Sequence, residues 1–319
     1  MIKKIAILTS GGDAPGMNAA VRVCIRAGLF YGKEMYVIYD GFKGLIEGDI
    51  HQVNKDFTQD IINRGGTILR SYRLPEFINE DVQLKAVRQL EDHEIDAVIG
   101  IGGDGTYKGL AALSKLGVNV IGIPATIDND VASTDYTIGF ITALNTICDC
   151  IDKIKDTSSS HQRCSVIEVM GRYCGDLAMF SSIAEAAELT ITYDYQLEES
   201  VLFRKLRKLK SQRKGHAIVV VSENLLDVNE LAKRIEKETG FETRAEVLGR
   251  LQRGGSPSAY DRILASRLGS FAIESLINNN AGIAVGYIKG EIVGTPLEEA
   301  ITMKRDTHHS LIKLIDMLQ

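Results

Sequence analysis

Two short β-branched runs, each ending in an acidic loop, constrain this chain more than any other feature. Ile95-Asp96-Ala97-Val98-Ile99-Gly100-Ile101 leads into Gly102-Gly103-Asp104-Gly105-Thr106, and Val118-Asn119-Val120-Ile121-Gly122-Ile123-Pro124-Ala125 leads into Thr126-Ile127-Asp128-Asn129-Asp130. Runs of this length, separated by a helix-like stretch, read as neighbouring parallel strands. In such sheets the loops at the carboxyl ends of the strands form the ligand crevice. One crevice would then hold a glycine turn able to approach phosphate and three carboxylates able to hold a metal or take a proton, which is the equipment of phosphoryl transfer.

Strand-like segments at 4–9, 35–40, 95–101, 119–125, 164–170, 188–193, 216–222 and 243–248 alternate with helical stretches at 17–30, 80–92, 138–156, 197–210, 228–237 and 258–278. The alternation predicts an α/β fold with mostly parallel strands. At 319 residues there is length for two domains, each with its own core. Hinges are expected near Asp135–Gly139 and Gly249–Pro257, where glycine, proline and polar residues cluster. A net charge of −5 leaves no general basic field for nucleic acid, so arginines that bind anions must act locally. Five cysteines, an odd number without C-x-x-C spacing, read as reduced thiols. Met1-Ile2-Lys3-Lys4 leads directly into a strand, and no apolar stretch reaches the ~20 residues of a membrane span. A soluble, cytoplasmic protein is expected.

Thr9-Ser10-Gly11-Gly12-Asp13-Ala14-Pro15-Gly16-Met17-Asn18 follows the first strand and opens a helix. Glycines admit backbone N–H groups close to an anion, and the helix N-terminus adds partial positive charge. The segment misses Walker A, because Met17-Asn18 replace Lys and Ser/Thr, and it also fails G-x-G-x-x-G. It fits a phosphate site and a tight strand–helix turn equally well. Asp104, beside glycines that would pass under a polyphosphate, points to Mg²⁺ held partly through water, and equally serves as a helix N-cap. Asp128 and Asp130 allow one carboxylate near a metal while the other takes a proton from an attacking hydroxyl. Arg163, Arg172, Arg244, Arg250 and Arg253 lie near strand ends or in glycine loops and are the candidate anion ligands. Lys205, Arg207, Lys208, Lys210, Arg213 and Lys214 read as a solvated helix face, and His308 and His309 receive no role.

Taken in order, Gly11 to Asn18, Gly102 to Gly105, Thr126 to Asp130, Asp156 to His161, Met170-Gly171-Arg172 and Gln252 to Pro257 resemble the ATP-dependent 6-phosphofructokinases of the bacterial type. The likeness spans nearly the whole chain and is weakest after about residue 290. It implies two lobes of similar topology, each a mostly parallel sheet flanked by helices. An ATP-binding larger lobe would comprise 1–138 plus 251–304, and a smaller lobe for the sugar phosphate 139–250 plus 305–319. It implies a catalytic set of Asp128, Thr126, Asp130, Arg172 and Gly12, with Asp128 the base on the 1-hydroxyl of fructose 6-phosphate. Gly12, Phe42, Arg73, Leu74, Gly103, Asp104, Gly105 and Thr106 would hold ATP, and Asp104 the Mg²⁺. The sugar phosphate would meet Thr126, Asp128, Met170, Gly171, Arg172, Glu223, Arg250 and Arg253, with Arg163 and Arg244 reaching in from a neighbouring subunit of a homotetramer.

The resemblance also addresses the donor and the regulation. Pyrophosphate-dependent relatives place Asp where this chain has Gly105 and Lys where it has Ala125, so ATP is the expected donor. Arg250 stands for a usual histidine, Ala125 for a glycine, Phe42 for a common tyrosine, and Arg70 and Tyr72 for small residues beside Arg73. An effector site for ADP or phosphoenolpyruvate would use Arg22, Arg26, Lys55, Asp60, Lys155, Glu188 and Lys214. Lys55 and Lys155 replace arginines there, and Glu185-Ala186 replaces a Gly-Gly pair, so weakened or altered effector control is expected. The alternatives are another kinase with a Gly-Gly-Asp-Gly loop, such as an NAD kinase, and a catalytically weak nucleotide sensor. No nucleic-acid or membrane partner is expected.

Overall fold

The computed structural model describes residues 2–212, 215–305 and 308–319. The chain packs as two compact units, Met1–Thr142 with Arg253–Arg305, and Ala143–Gln252 with Asp306–Gln319.

In the first unit the chain runs β1 (Lys4–Thr9), α1 (Met17–Phe30), β2 (Glu34–Ile38), α2 (Phe42–Glu47), β3 (Ile50–Val53), α3 (Glu80–Asp92), β4 (Ala97–Gly102), α4 (Asp104–Lys115) and β5 (Asn119–Pro124). The strands join one sheet of order β11-β10-β5-β4-β1-β2-β3, completed by β10 (Ile283–Ile288) and β11 (Glu291–Pro296). The five inner strands are parallel, and β3 and β11 close the edges antiparallel. β4 is buried along its whole length, as expected of a strand covered on both faces. Helices α3 and α4 supply Ala86, Leu90, Leu110 and Leu113 to one core with Leu8, Val98 and Val120. α9 (Ala259–Ile277) packs on α1. The close crossing uses Gly269, where a Cβ would collide with Val23.

The second unit carries most of α5 (Phe140–His161), then β6 (Cys164–Val169), α6 (Asp176–Ala184), β7 (Leu189–Ile191), α7 (Glu199–Ser211), β8 (Ala217–Ser222), α8 (Val228–Thr239) and β9 (Thr243–Val247). Its sheet, β7-β8-β6-β9, is parallel throughout. Val166, Val219 and Val221 pack with Leu202, Leu206, Leu231 and Ile235 of α7 and α8. α10 (Leu297–Ala300) follows β11, and α11 (His309–Leu318) ends the chain.

Three features differ from the expectations. Strands β3, β10 and β11 were not anticipated. The basic run of α7 is not simply solvated: Arg207 donates to Glu238 O at 2.8 Å and Glu238 Oε2 at 3.1 Å, and Lys210 donates to Gly240 O. These cations satisfy carbonyls at the end of α8, where the helix dipole favours positive charge. His308 meets Asp176 Oδ1 at 3.2 Å and stands edge-on to Phe180. Among the described residues no helix is long and apolar enough to cross a membrane.

Candidate active site

In the first unit β1 turns into α1 through Gly11 at φ +89° and Gly16 at φ +107°, left-handed angles that favour glycine. At Gly12 the constraint is space, since a Cβ there would lie 2.6 Å from Arg253 Nη1. Arg253 donates from Nη1 to Asp13 O at 3.3 Å, and its Nη2 lies 3.8 Å from Asp128 Oδ2. The loop lines a cavity of about 440 Å³ with Thr67, Ser71, Arg73 and Arg253. Asn18, which stands where Walker A would have Ser or Thr, is a buried peg. Its Nδ2 donates to the carbonyls of Arg64 and Gly66 at 2.9 and 2.8 Å, and its Oδ1 accepts from Ile68 N at 2.8 Å. The peg fixes the 64–68 segment on α1.

β4 and β5 are parallel neighbours in which Gly102 pairs with Pro124, so their two loops leave the sheet side by side. A Cβ on Gly103 would come within 3.7 Å of Thr126 Cβ. Gly102 has room for no side chain, because Thr106 Oγ1 and Ser10 O close on it, and Thr106 Oγ1 donates to Ser10 O at 3.2 Å. The first and second glycine loops are thereby joined. Gly105 is the opposite case, since a Cβ there meets nothing within 4 Å. Ala125 is buried.

Asp104 is the first residue of α4, and its Oδ2 lies 2.6 Å from Lys108 Nζ, one turn on. Its carboxylate therefore already faces a cation at the rim. Among the described residues no cluster of three His, Cys, Asp or Glu side chains forms a metal cage. Mg²⁺ is commonly held by one or two carboxylates together with substrate phosphates, and a half-exposed carboxylate at the head of a glycine loop fits that donor set.

The Thr126–Asp130 loop is fixed from beneath by Asn129, buried and left-handed at φ +53°. Its Oδ1 accepts from Thr137 N at 2.9 Å, and its Nδ2 donates to Asp135 O at 3.2 Å. Thr137 Oγ1 donates to Thr126 O at 2.6 Å, and Asp128 N donates to Thr126 Oγ1 at 3.2 Å. Asp128 is 6% exposed and Asp130 intermediate. Asn129 and Thr137 were not singled out in the sequence, where Asn129 read only as part of a turn.

In the second unit Met170-Gly171-Arg172 follows β6 and Glu223 follows β8, at the carboxyl ends of adjacent strands. Gly171 has φ +134° and Arg172 φ +57°. Arg172 N donates to Glu223 Oε1 at 2.8 Å, and Met170 N to Gln252 Oε1 at 3.0 Å. Gln252 is buried and holds its own turn through Gly249 O at 3.0 Å. Arg250, on the same turn, is exposed. Glu168 beside them has its carboxyl pushed above the usual range by burial, and then by the charges of Glu223 and Asp227.

Arg163 and Arg244 lie elsewhere. Both bond the Glu242 Oε1, at 2.9 and 2.7 Å. The hydrogen bond from Arg163 is the main cause that holds the Glu242 carboxyl below its usual range. Arg163 precedes β6, so this pair stands at the opposite end of the four-stranded sheet from Arg172 and Glu223. At about 3.3 Å per residue, β6 separates the two sets by roughly 17 Å.

The remaining expected residues fall as follows. Phe42 opens α2 and is buried; Leu74 is half-buried and Arg73 exposed. Arg22 and Arg26 lie on α1, and Arg26 Nε donates to Thr58 Oγ1 at 2.7 Å in the 3₁₀ turn Lys55–Thr58 that begins at Lys55. Asp60, exposed at φ +52°, follows it. In the second unit Lys155 Nζ bonds Glu185 Oε2 at 2.6 Å and also the Glu185 carbonyl. Glu188 Oε2 accepts from Ile218 N at 2.5 Å. Lys214 lies outside the described residues.

These features define the class, an α/β protein of two parallel-sheet units with glycine turns, carboxylates and arginines at its strand ends. Comparison narrows it. The phosphofructokinase family model matches residues 4–276. The ATP-dependent 6-phosphofructokinase of Photobacterium profundum is 53% identical over 319 residues, all of both chains. A phosphofructokinase structure from Saccharomyces cerevisiae superposes with a TM-score of 0.87 at 30% identity, over 99% of this chain and 47% of that one. The Pichia pastoris phosphofructokinase in the T-state gives 0.89 at 34% identity, over 100% and 38%. This chain thus spans less than half of either yeast polypeptide. It belongs to the phosphofructokinase family.

Proposed function

We propose that this protein is a glycolytic kinase that transfers the γ-phosphoryl group of ATP to the 1-hydroxyl of fructose 6-phosphate. The observation that carries the reading is the emergence of the Gly103–Thr106 and Thr126–Asp130 loops side by side from adjacent parallel strands. The bond from the γ-phosphorus to the ADP oxygen breaks, a bond to the sugar oxygen forms, and Asp128 takes the hydroxyl proton. Asn129 and Thr137 hold the Asp128 backbone fixed, and preorganisation of this kind lowers the barrier without a further binding step. Arg253 keeps positive charge beside both Asp128 and the first glycine loop. Arg172 stabilises the transferring phosphoryl group, with its backbone set by Glu223. Gly12, Phe42, Arg73, Leu74 and Gly103 to Thr106 hold ATP. Asp104, together with the phosphates, would hold Mg²⁺, which would supply positive charge to neutralise the transferring group. The open space at Gly105 supports a donor with an α-phosphate.

The sugar phosphate meets Met170, Gly171, Glu223, Arg250 and Arg253. Arg163 and Arg244, at the far end of their sheet, serve the site of a neighbouring subunit, which supports a homotetramer with shared sites. Five free thiols agree with a cytoplasmic setting. Effector control by ADP or phosphoenolpyruvate is weakened, because Lys155 already has an anionic partner in Glu185.

A coupled assay for ADP release tests the reading. Turnover that requires both ATP and fructose 6-phosphate, and is not supported by pyrophosphate as donor, is expected. ADP release indifferent to fructose 6-phosphate would overturn it.

A further inference from the structure

The loop that carries Asp128 leaves β5 and is closed at its base, where Thr126 N donates to Ile138 O at 3.1 Å and Ile138 N to Pro124 O at 3.0 Å. Its far side, Ser133 to Asp135, leans on the β10–β11 hairpin. β10 pairs with β5 at Ile283 and Ala284. Further along, its backbone bonds the loop instead: Asp135 N donates to Tyr287 O at 2.8 Å, and Tyr287 N donates to Thr134 Oγ1 at 2.9 Å. Gly286 lets the two backbones meet, since a Cβ there would collide with Ser133 O.

Asp135 is the outermost link. It is exposed, yet its Oδ2 accepts from Lys289 N at 2.7 Å, in the turn between β10 and β11. That turn is held to α9 by Arg267, which donates from Nη2 to Gly290 O at 3.3 Å and places Cζ 5.3 Å from the Tyr287 ring centroid. On its other side the Asp135 carbonyl accepts from Asn129 Nδ2 at 3.2 Å. One chain of hydrogen bonds therefore runs from the hairpin turn through Asp135 to the residue after Asp128. Lys289 and Asn129, at the two ends of that chain, have φ +50° and +53°. A left-handed residue other than glycine persists only where its surroundings hold it.

We propose that Asp135 is a positioning residue for phosphoryl transfer: it ties the β10–β11 hairpin to the loop that aims the Asp128 carboxylate at the acceptor hydroxyl. This rests on the reading of Asp128 as the general base. The donor loop is fastened separately, by Thr106 Oγ1 on Ser10 O. Loss of the brace therefore disturbs the geometry of proton transfer and leaves ATP binding in place.

The test compares Asp135→Ala and Asp135→Asn in the full-length protein, by steady-state kinetics and thermal melting. Asp135→Ala is expected to lower kcat about tenfold, within the 10²-fold that a misplacement of about 1 Å costs, and to leave the KM for ATP unchanged. Asp135→Asn keeps an oxygen for Lys289 N and is expected to restore wild-type kcat. In an Asp128→Asn background Asp135→Ala is expected to cost nothing further, because residues that act through one group are not additive. An equal loss on top of Asp128→Asn overturns the proposal. So does wild-type kcat in Asp135→Ala, with or without a lower melting temperature, since that marks a purely structural bond. Failure of the kinase reading would instead appear in the wild type, as absent turnover with fructose 6-phosphate.

Discussion

Single residues in this protein divide by whether their chemistry depends on local backbone or on distant partners. Asp128 belongs to the first kind, since its position follows from a short loop at a strand end. As the proposed general base it makes a direct prediction: Asp128→Asn should lower kcat by roughly 10²–10⁴-fold with an unchanged melting curve. A loss of less than about tenfold would remove Asp128 from that role. Tyr107 belongs to the second kind. It is fully buried beneath Gly122, where a Cβ would lie 2.7 Å from its ring, and its hydroxyl has no hydrogen-bond partner among the described residues. Burial pushes that phenol well above its usual pKa. An unsatisfied buried hydroxyl costs about 1–3 kcal/mol, so Tyr107→Phe should leave stability unchanged or raise it by about 1 kcal/mol. Loss of stability in denaturant titration would show that the hydroxyl has a partner.

Elements are tied by polar side chains that no periodicity reveals. Asp261, in the first turn of α9, is fully buried. It accepts from Gly139 N at 2.9 Å, Thr142 N at 2.8 Å and Thr142 Oγ1 at 2.5 Å, so it also holds the start of α5. Burial raises its carboxyl above the ordinary value of 3.8 despite these bonds. The native state therefore keeps this proton to higher pH than the unfolded chain, and stability falls as pH rises through the interval between the two values. Asp261→Asn lacks that fall, so the stability gap between wild type and variant should narrow as pH rises through that interval and then stay constant. Parallel curves across about pH 4 to 7 would exclude the linkage. The Lys155–Glu185 pair links α5 to the end of α6 in the same way. Glu185→Gly should remove the carboxylate partner of Lys155, keeping its bond to the residue-185 carbonyl, and lower the half-inhibitory phosphoenolpyruvate concentration roughly tenfold, the worth of one charge-assisted bond. Strong sigmoidal inhibition of the wild type would refute the weakened control.

For the whole molecule the decisive geometry is the four-stranded sheet. Arg163 and Arg244 cluster on Glu242 at one end, and Arg172 with Glu223 stands at the other. Under the shared-site proposal, a site takes its base from one subunit and this arginine pair from another. Asp128→Asn and Arg244→Ala are each expected to be nearly inactive. Co-expressed, they should recover activity, because the hybrid forms sites that contain a wild-type Asp128 and a wild-type Arg244. Mixed oligomers no more active than either parent would place the arginines outside the site.

What the sequence determined by itself was the alternation of strand and helix, the parallel sheets, and the glycine–acid loops at their ends. These follow from local forces: β-branched runs extend, glycine admits left-handed angles, and helices begin where strands stop. The antiparallel hairpin β10–β11 escaped because its turn, Lys289-Gly290 at φ +50° and +95°, is not the usual Asn-Gly or Asp-Gly signal, and because β11 is largely exposed. Only the tertiary structure could decide that Asn18, Asn129 and Asp261 are buried pegs, that Phe42 belongs to the core, and that Glu185 neutralises Lys155. Most of those outcomes depend on a partner far along the chain, and that of Asn129 on a loop that turns back within a few residues. Burial makes an unmet polar group costly, so the partner and not the local pattern fixes the role.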